Sequence, residues 1–193
     1  MQPLILASQS PRRQILLTWA DVPFEVIVSD SDETYPASLD LNEVPVYIAK
    51  NKAQAVYEKI ILSYPQHSNK NIVAADTIVV LEGNVLGKPA NKAEAIASLN
   101  ALSGKTHRVI TVVFFLYQGL EYSFSETTLV TFNSFTLAQI EYYVENYKPY
   151  DKAGAYGIQE WIGFVGVAKV EGSYTNVMGL PTHKVYEYLS TLD

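Results

Sequence analysis

Near the start of the chain, Ser8-Gln9-Ser10-Pro11-Arg12-Arg13 combines two hydroxyls, a proline and two adjacent arginines. The segment follows an apolar run fit for a buried strand over 4–7. It precedes an apolar helical pattern at Ile15, Leu16, Leu17 and Trp19. A strand, a short polar turn and a helix opened by proline make a good anion site. Proline suits the first helical turn, where its missing N–H costs nothing. The open N–H groups of that turn, with the helix dipole, favour a negative ligand. Two guanidiniums can then grip phosphate oxygens through paired, charge-assisted hydrogen bonds. A solvated basic helix start would use the same residues, so this segment alone leaves both readings open.

Other residues could join such chemistry. Asp76-Thr77 stands where an apolar strand is expected to end, a common placement for metal or base work in α/β folds. The competing reading is an aspartate bonded to its own turn. Lys88-Pro89 follows a glycine turn, and Lys88 taken alone is a solvated surface residue. Asp30, Asp32 and Glu33 form a polar loop whose oxygens could ligate a divalent cation or simply face water. The stretch 151–159, Asp-Lys-Ala-Gly-Ala-Tyr-Gly-Ile-Gln, holds two glycines that let backbone approach a ligand closely. Its Gln159 can both donate and accept, as reading a base edge requires; a glycine turn with Tyr156 in the core is the plainer alternative. The polar, glycine-flanked loop 172–181 offers a second anion or ribose contact, or merely a helix entry. His107 has no cysteine, serine–aspartate pair or second histidine to support it as a base. His67 and His183 lack metal-ligand spacing, and neither a Walker loop nor a dinucleotide fingerprint occurs.

The elements that must position these groups alternate between strand-like and helix-like patterns, which argues for an α/β domain. Strands are expected over 4–7, 24–28, 71–75 with an extended continuation to 81, 109–117, 122–132 and 162–170. Helices are expected over 11–20, 44–62, 92–102, 136–146 with Thr136 as cap, and 180–192. Gly83-Asn84 and Gln118-Gly119 read as hairpin turns.

Composition bounds the remainder. At 193 residues and 48% hydrophobic, the chain suits one domain, 1–193, with an ample core, and disorder is not expected. It has no cysteine, which removes thiolate metal sites and cysteine nucleophiles and fits a reducing compartment. A net charge of −6 argues against a nucleic acid polymer as partner. No apolar run approaches the roughly 20 residues of a membrane span. Charges arrive at Arg12 before any long apolar region, so no signal peptide is expected.

Taken together, these segments resemble the Maf family of nucleoside triphosphate pyrophosphatases. The matching pieces are residues 8–13, Glu33, Lys52-Ala53, Ala75-Asp76-Thr77, Gly87-Lys88-Pro89, 102–107, 151–159 and Gly179-Leu180-Pro181. Each is modest alone, but they stand in family order and span nearly the whole chain. The form of 151–159 resembles the branch acting on dTTP and UTP. Two departures are small: Gln9, and the variable loop 160–164.

The resemblance implies an α/β fold of the inosine triphosphatase-like kind, a mixed elongated sheet flanked by helices, with two lobes and a deep cleft. It also implies a cytoplasmic, homodimeric enzyme that needs Mg²⁺ or Mn²⁺ and cleaves between the α and β phosphates. On that basis Arg12, Arg13, Lys52 and Lys88 fall to the phosphate tail. Glu33 and Asp76 fall to the metal, and Asp76 to the attacking water. Ser8 completes the anion nest, while Thr77 and Gln159 stand by the base or sugar, with Arg12 also influencing base choice. The same residues would serve modified pyrimidine nucleotides. The reading from another class is a nucleotide-binding regulator of cell division without turnover.

Overall fold

The computed structural model describes residues 2–30, 34–36 and 38–192. In chain order its elements are β1 (Leu4–Leu6), α1 (Pro11–Trp19), β2 (Phe24–Val26), α2 (Val44–Ser63), β3 (Ile72–Leu81), β4 (Asn84–Leu86) and α3 (Lys92–Leu102). Next come β5 (Thr106–Tyr117), β6 (Leu120–Phe132), α4 (Leu137–Tyr147), α5 (Trp161–Gly166), β7 (Val167–Glu171), α6 (Tyr174–Met178) and α7 (Thr182–Ser190). Short 3-10 turns fall at Pro65–His67 and Ala153–Ala155. The strands form a sheet of order β2-β1-β3-β5-β6-β7, with β4 paired to β3. It is mixed: β1 runs parallel to β2 and β3, whereas β3–β4 and β6–β7 are antiparallel. The α/β class and mixed sheet expected from the sequence are therefore present. No described helix is long and apolar enough to cross a membrane.

The chain divides into two compact units, and β3, β5 and β6 contribute residues to each. The first comprises Met1–Asp76, Thr111–Glu126 and Gly179–Asp193. Its β1 is buried throughout, as a strand flanked on both sides must be. One core cluster joins Ile5 and Ala7 to Ala49, Ala53, Val56 and Ile60 of α2, and to Ile72 and Ala74 of β3. The α2 members recur at three- and four-residue spacing, so one helix face meets the sheet. Alanines at 49, 53 and 74 are fully buried; being short, they let helix and strand backbones approach closely. Each fully buried isoleucine or valine contributes about 1.5–3 kcal/mol. On α7, Tyr188 stacks on Tyr122 at 4.2 Å between ring centroids.

The second unit comprises Thr77–Ile110 and Thr127–Met178. Ile78, Val80 and Ile110 form a core cluster with Val85 against it. The β3–β4 turn is Glu82-Gly83, one residue earlier than Gly83-Asn84, with both residues at positive φ. That is the backbone a tight two-residue hairpin requires. Asn91 caps α3 by accepting from the Glu94 N–H at 3.0 Å. Thr136 caps α4 as expected, in a reciprocal box with Gln139.

Three further expectations are corrected. First, β3 is continuous from Ile72 to Leu81, so Asp76 lies within a strand rather than at its end. The β-branched and apolar runs on either side carry the extended backbone through an otherwise unfavourable aspartate. Second, 162–170 is not one strand: α5 precedes β7. The sequence looks β-like there, but a Cβ on Gly163 would stand 1.8 Å from the Ile158 carbonyl oxygen. This close approach belongs to a chain turning back on itself, and glycine alone permits it. Third, the loop 172–181 contains α6. Ser173 Oγ accepts from the Asn176 N–H at 3.2 Å, a capping contact that starts a helical turn.

Candidate active site

In the first unit, β1 delivers the chain to Ser8, and Pro11 opens α1. Ser8 is buried, and its Oγ accepts from the Ser10 N–H at 3.3 Å and from Arg13 Nη1 at 3.1 Å. Arg13 Nε donates to the carbonyl of Gly179 at 2.8 Å. The arginine is thus held from two sides. Gly179, at φ +111°, adopts a backbone suited to glycine, and this explains why a glycine stands before Leu180-Pro181. Arg12 lies half-buried in the first turn of α1. That turn's leading N–H groups have no acceptor within the helix, so arginines and amides together provide for an anion.

Lys52 and Asp76 are the second couple. Lys52 Nζ donates to Asp76 Oδ1 at 2.9 Å, and the two side chains keep only 15% and 13% of their exposure. The small residues beside them, Ala53 on α2 and Ala74 and Ala75 on β3, are fully buried. Helix and strand therefore run close enough for a lysine to reach a mid-strand carboxylate. A charge pair this deep is costly to desolvate and adds little to stability over an apolar pair; its presence points to use. Asp30 is exposed. Glu33 lies outside the described residues.

In the second unit, Thr77 follows Asp76 on β3 and is half-buried, while Lys88 is exposed before the buried Pro89. The Gly154 N–H donates to the Gly87 carbonyl at 3.2 Å, which joins the Lys88 segment to 151–159. Gly154 has φ +68°, and a Cβ there would meet Val79 at 3.0–3.2 Å; both reasons exclude a side chain. Gln159 is half-buried, and its Oε1 is fully enclosed without a hydrogen-bond partner.

Around Gln159 lies a group that sequence reasoning did not assign. Tyr143 OH donates to Glu160 Oε2 and accepts from the Gly157 N–H at 3.0 Å. Burial, and then the neighbouring Glu160 carboxylate, push the Tyr143 phenol well above its usual pKa, so it remains a donor. Lys152, nearly buried, sits 3.2 Å from Glu160 Oε1 and 2.7 Å from Asp151 Oδ1. Lys152 falls within the 151–159 motif, but nothing local links Tyr143 to Glu160 seventeen residues on.

His107 is a core residue. It is 1% exposed, its Nε2 lies 2.7 Å from Tyr156 OH, and burial lowers its pKa to about 4. Tyr156 is likewise in the core. Ser103 of the same motif accepts from the Phe135 N–H at 2.7 Å, so Ser103 and His107 both serve internal packing.

Residues 3–192 match the family described as Maf-like protein. The chain belongs to the Maf family. The chain's curated relatives include three that carry the name dTTP/UTP pyrophosphatase. The protein of Phocaeicola vulgatus is 49% identical over 98% of this chain and 95% of its own length. That of Flavobacterium johnsoniae is 48% identical over 98% and 94%, and that of Porphyromonas gingivalis 46% over 96% and 92%. Among solved structures, the Ham1 protein of Staphylococcus aureus superposes with a TM-score of 0.56 at 14% identity, covering 100% of both chains. At that identity the likeness concerns fold alone, and it agrees with the mixed α/β architecture of this Maf protein.

Proposed function

We propose that this Maf protein hydrolyses dTTP and UTP, and pyrimidine nucleotides modified on the base, to the monophosphate and pyrophosphate. The observation that carries the reading is 46–49% identity, over nearly the full chain, to relatives named for that activity. The Lys52–Asp76 couple and the doubly held Arg13 are consistent with it.

Each residue then has a task. Asp76 orients a water molecule and takes its proton as the water oxygen attacks the α-phosphorus. The bond from α-phosphorus to the bridging oxygen breaks, and pyrophosphate leaves with the electron pair. Lys52, bonded to Asp76 Oδ1, fixes the rotamer of the carboxylate and presents charge to the phosphates. Arg13 is held for phosphate by Ser8 and Gly179; Arg12 and the amides of the first α1 turn add to the anion nest. Lys88 is assigned to the phosphate tail as well, where charge stabilises the departing pyrophosphate.

Asp76 is a hard oxygen donor of the kind Mg²⁺ and Mn²⁺ prefer. Among the described residues no group of three or more histidines, aspartates or glutamates forms a ready cation cage. That suits a site in which the substrate's phosphates complete the ligand set. Asp76 and Glu33 are the residues we assign to hold the ion. When bound, such an ion supplies charge neutralisation at the phosphate oxygens.

Gln159 and Thr77 are assigned to the base and sugar. Uracil and thymine present one N–H donor between two carbonyls, and a glutamine amide can answer both kinds of group. Gln159 Oε1 is enclosed and makes no hydrogen bond within the protein. We place the protein in the cytoplasm as a homodimer, to be checked by fractionation and light scattering.

The deciding experiment is a nucleotide panel with Mg²⁺ or Mn²⁺, resolved by chromatography with a pyrophosphate assay. Monophosphate plus pyrophosphate from dTTP and UTP, with little from ATP or GTP, is the expected result. Diphosphate plus phosphate would overturn the cleavage position. Tight binding without turnover of any nucleotide would replace the enzyme by a nucleotide-binding regulator.

A further inference from the structure

Gln159 does not stand on a free loop. The Glu160 N–H donates to the Gly157 carbonyl at 3.0 Å, closing a turn over 157–160 with Gln159 at its third position. A single hydroxyl then fastens both ends of that turn. Tyr143 OH takes the Gly157 N–H at one end and donates to the Glu160 carboxylate at the other. Lys152 Nζ holds the second carboxylate oxygen at 3.2 Å and is itself tied to Asp151.

The side chains follow the backbone. The Gln159 amide nitrogen and the Glu160 carboxyl carbon each lie 2.9 Å from the point a Cβ on Gly157 would occupy. Both are therefore folded over the same bare glycine. Tyr143 is buried and anchored in α4, and Lys152 is nearly buried, so the clamp is rigid. An amide that must tell a donor from an acceptor on a base edge gains selectivity only when it cannot swing freely.

We infer that Glu160, clamped by Tyr143 and Lys152, is a positioning residue that fixes the Gln159 amide and thereby sets base selectivity. The inference rests on the reading of Gln159 as a base contact. It assigns Glu160 and Tyr143 a role through Gln159, with no contact to the reacting phosphorus.

The test compares kcat/KM for dTTP with that for dCTP, whose ring nitrogen accepts where thymine donates. Glu160→Ala and Tyr143→Phe should each lower the dTTP preference about tenfold, mainly by raising KM for dTTP while kcat holds. Glu160→Gln, which can still accept from Tyr143, should retain the preference within about twofold. Adding Glu160→Ala to Gln159→Ala should change the preference no further, as expected when one residue acts through the other. Thermal midpoints identify variants that merely unfold, and a purely structural role would depress both nucleotides alike.

If Gln159→Ala shifts the preference while Glu160→Ala and Tyr143→Phe leave it intact, the positioning role is overturned and the base contact stands. If Gln159→Ala leaves the preference unchanged, the base contact itself fails. A shift from Glu160→Ala that persists in the Gln159→Ala background would overturn action through Gln159.

Discussion

Two buried polar couples, one in each unit, answer the same physical problem in opposite ways. In the first unit Lys52 and Asp76 meet at 2.9 Å with slight exposure left to both. In the second His107 and Tyr156 meet at 2.7 Å, with the histidine almost wholly enclosed. The first couple is ionic, the second neutral, since burial lowers the His107 pKa to about 4 and raises that of Tyr156. A neutral pair makes a hydrogen bond and packs both of its rings against Phe132. An ion pair at similar depth does this poorly. Burial alone therefore does not mark a reactive group; retained charge beside residual access does.

The largest effect separating the couples is on turnover. Asp76→Asn keeps the shape and removes the proton acceptor, so kcat should fall about 10²–10⁴-fold while nucleotide binding remains measurable by calorimetry. His107→Gln should leave kcat within about twofold. A His107 variant as damaged in kcat as Asp76→Asn would erase the distinction.

Lys52→Met sharpens the comparison on stability. It strands the Asp76 charge at a site with 13% exposure, which costs about 3 kcal/mol. The urea midpoint reads that loss. Asp76→Asn together with Lys52→Met should recover much of it, because no lone charge is left behind.

The neutral couple is expected to show itself in pH dependence. The folded His107 pKa is about 4 against an ordinary 6.5. Between those values the unfolded chain binds the proton more readily, so folding stability is full above pH 6.5 and falls as pH drops toward 4. The span corresponds to about 3 kcal/mol at the lower end. Urea titrations at stepped pH should show this slope, and His107→Gln should flatten it.

These couples also show what a linear sequence discloses. Asp76 and Lys52 were legible as chemistry because an aspartate in an apolar run and a lysine in a family-ordered motif stand out. The same ordering flagged His107, whose role depends on burial that only the packed second unit reveals. Helices opened by proline or capped by Thr136 announced themselves locally. The segment 161–171 did not, because its helix depends on Gly163 passing close to the Ile158 carbonyl. The Tyr143–Glu160 contact is tertiary, and no spacing rule could have found it.

The smallest expected effect belongs to an ion pair of the opposite kind, fully at the surface. Lys92 of α3 meets Glu145 of α4 at 2.7 Å, as close as the buried couples. Their hydrogen bond raises the lysine pKa and lowers that of the glutamate. Water and salt screen such a pair, and ordering two long side chains offsets its attraction. Lys92→Met should therefore move neither kcat nor the urea midpoint beyond error, at low or high salt. A midpoint loss matching that of Lys52→Met would mean that distance, rather than burial, decides what these contacts are worth.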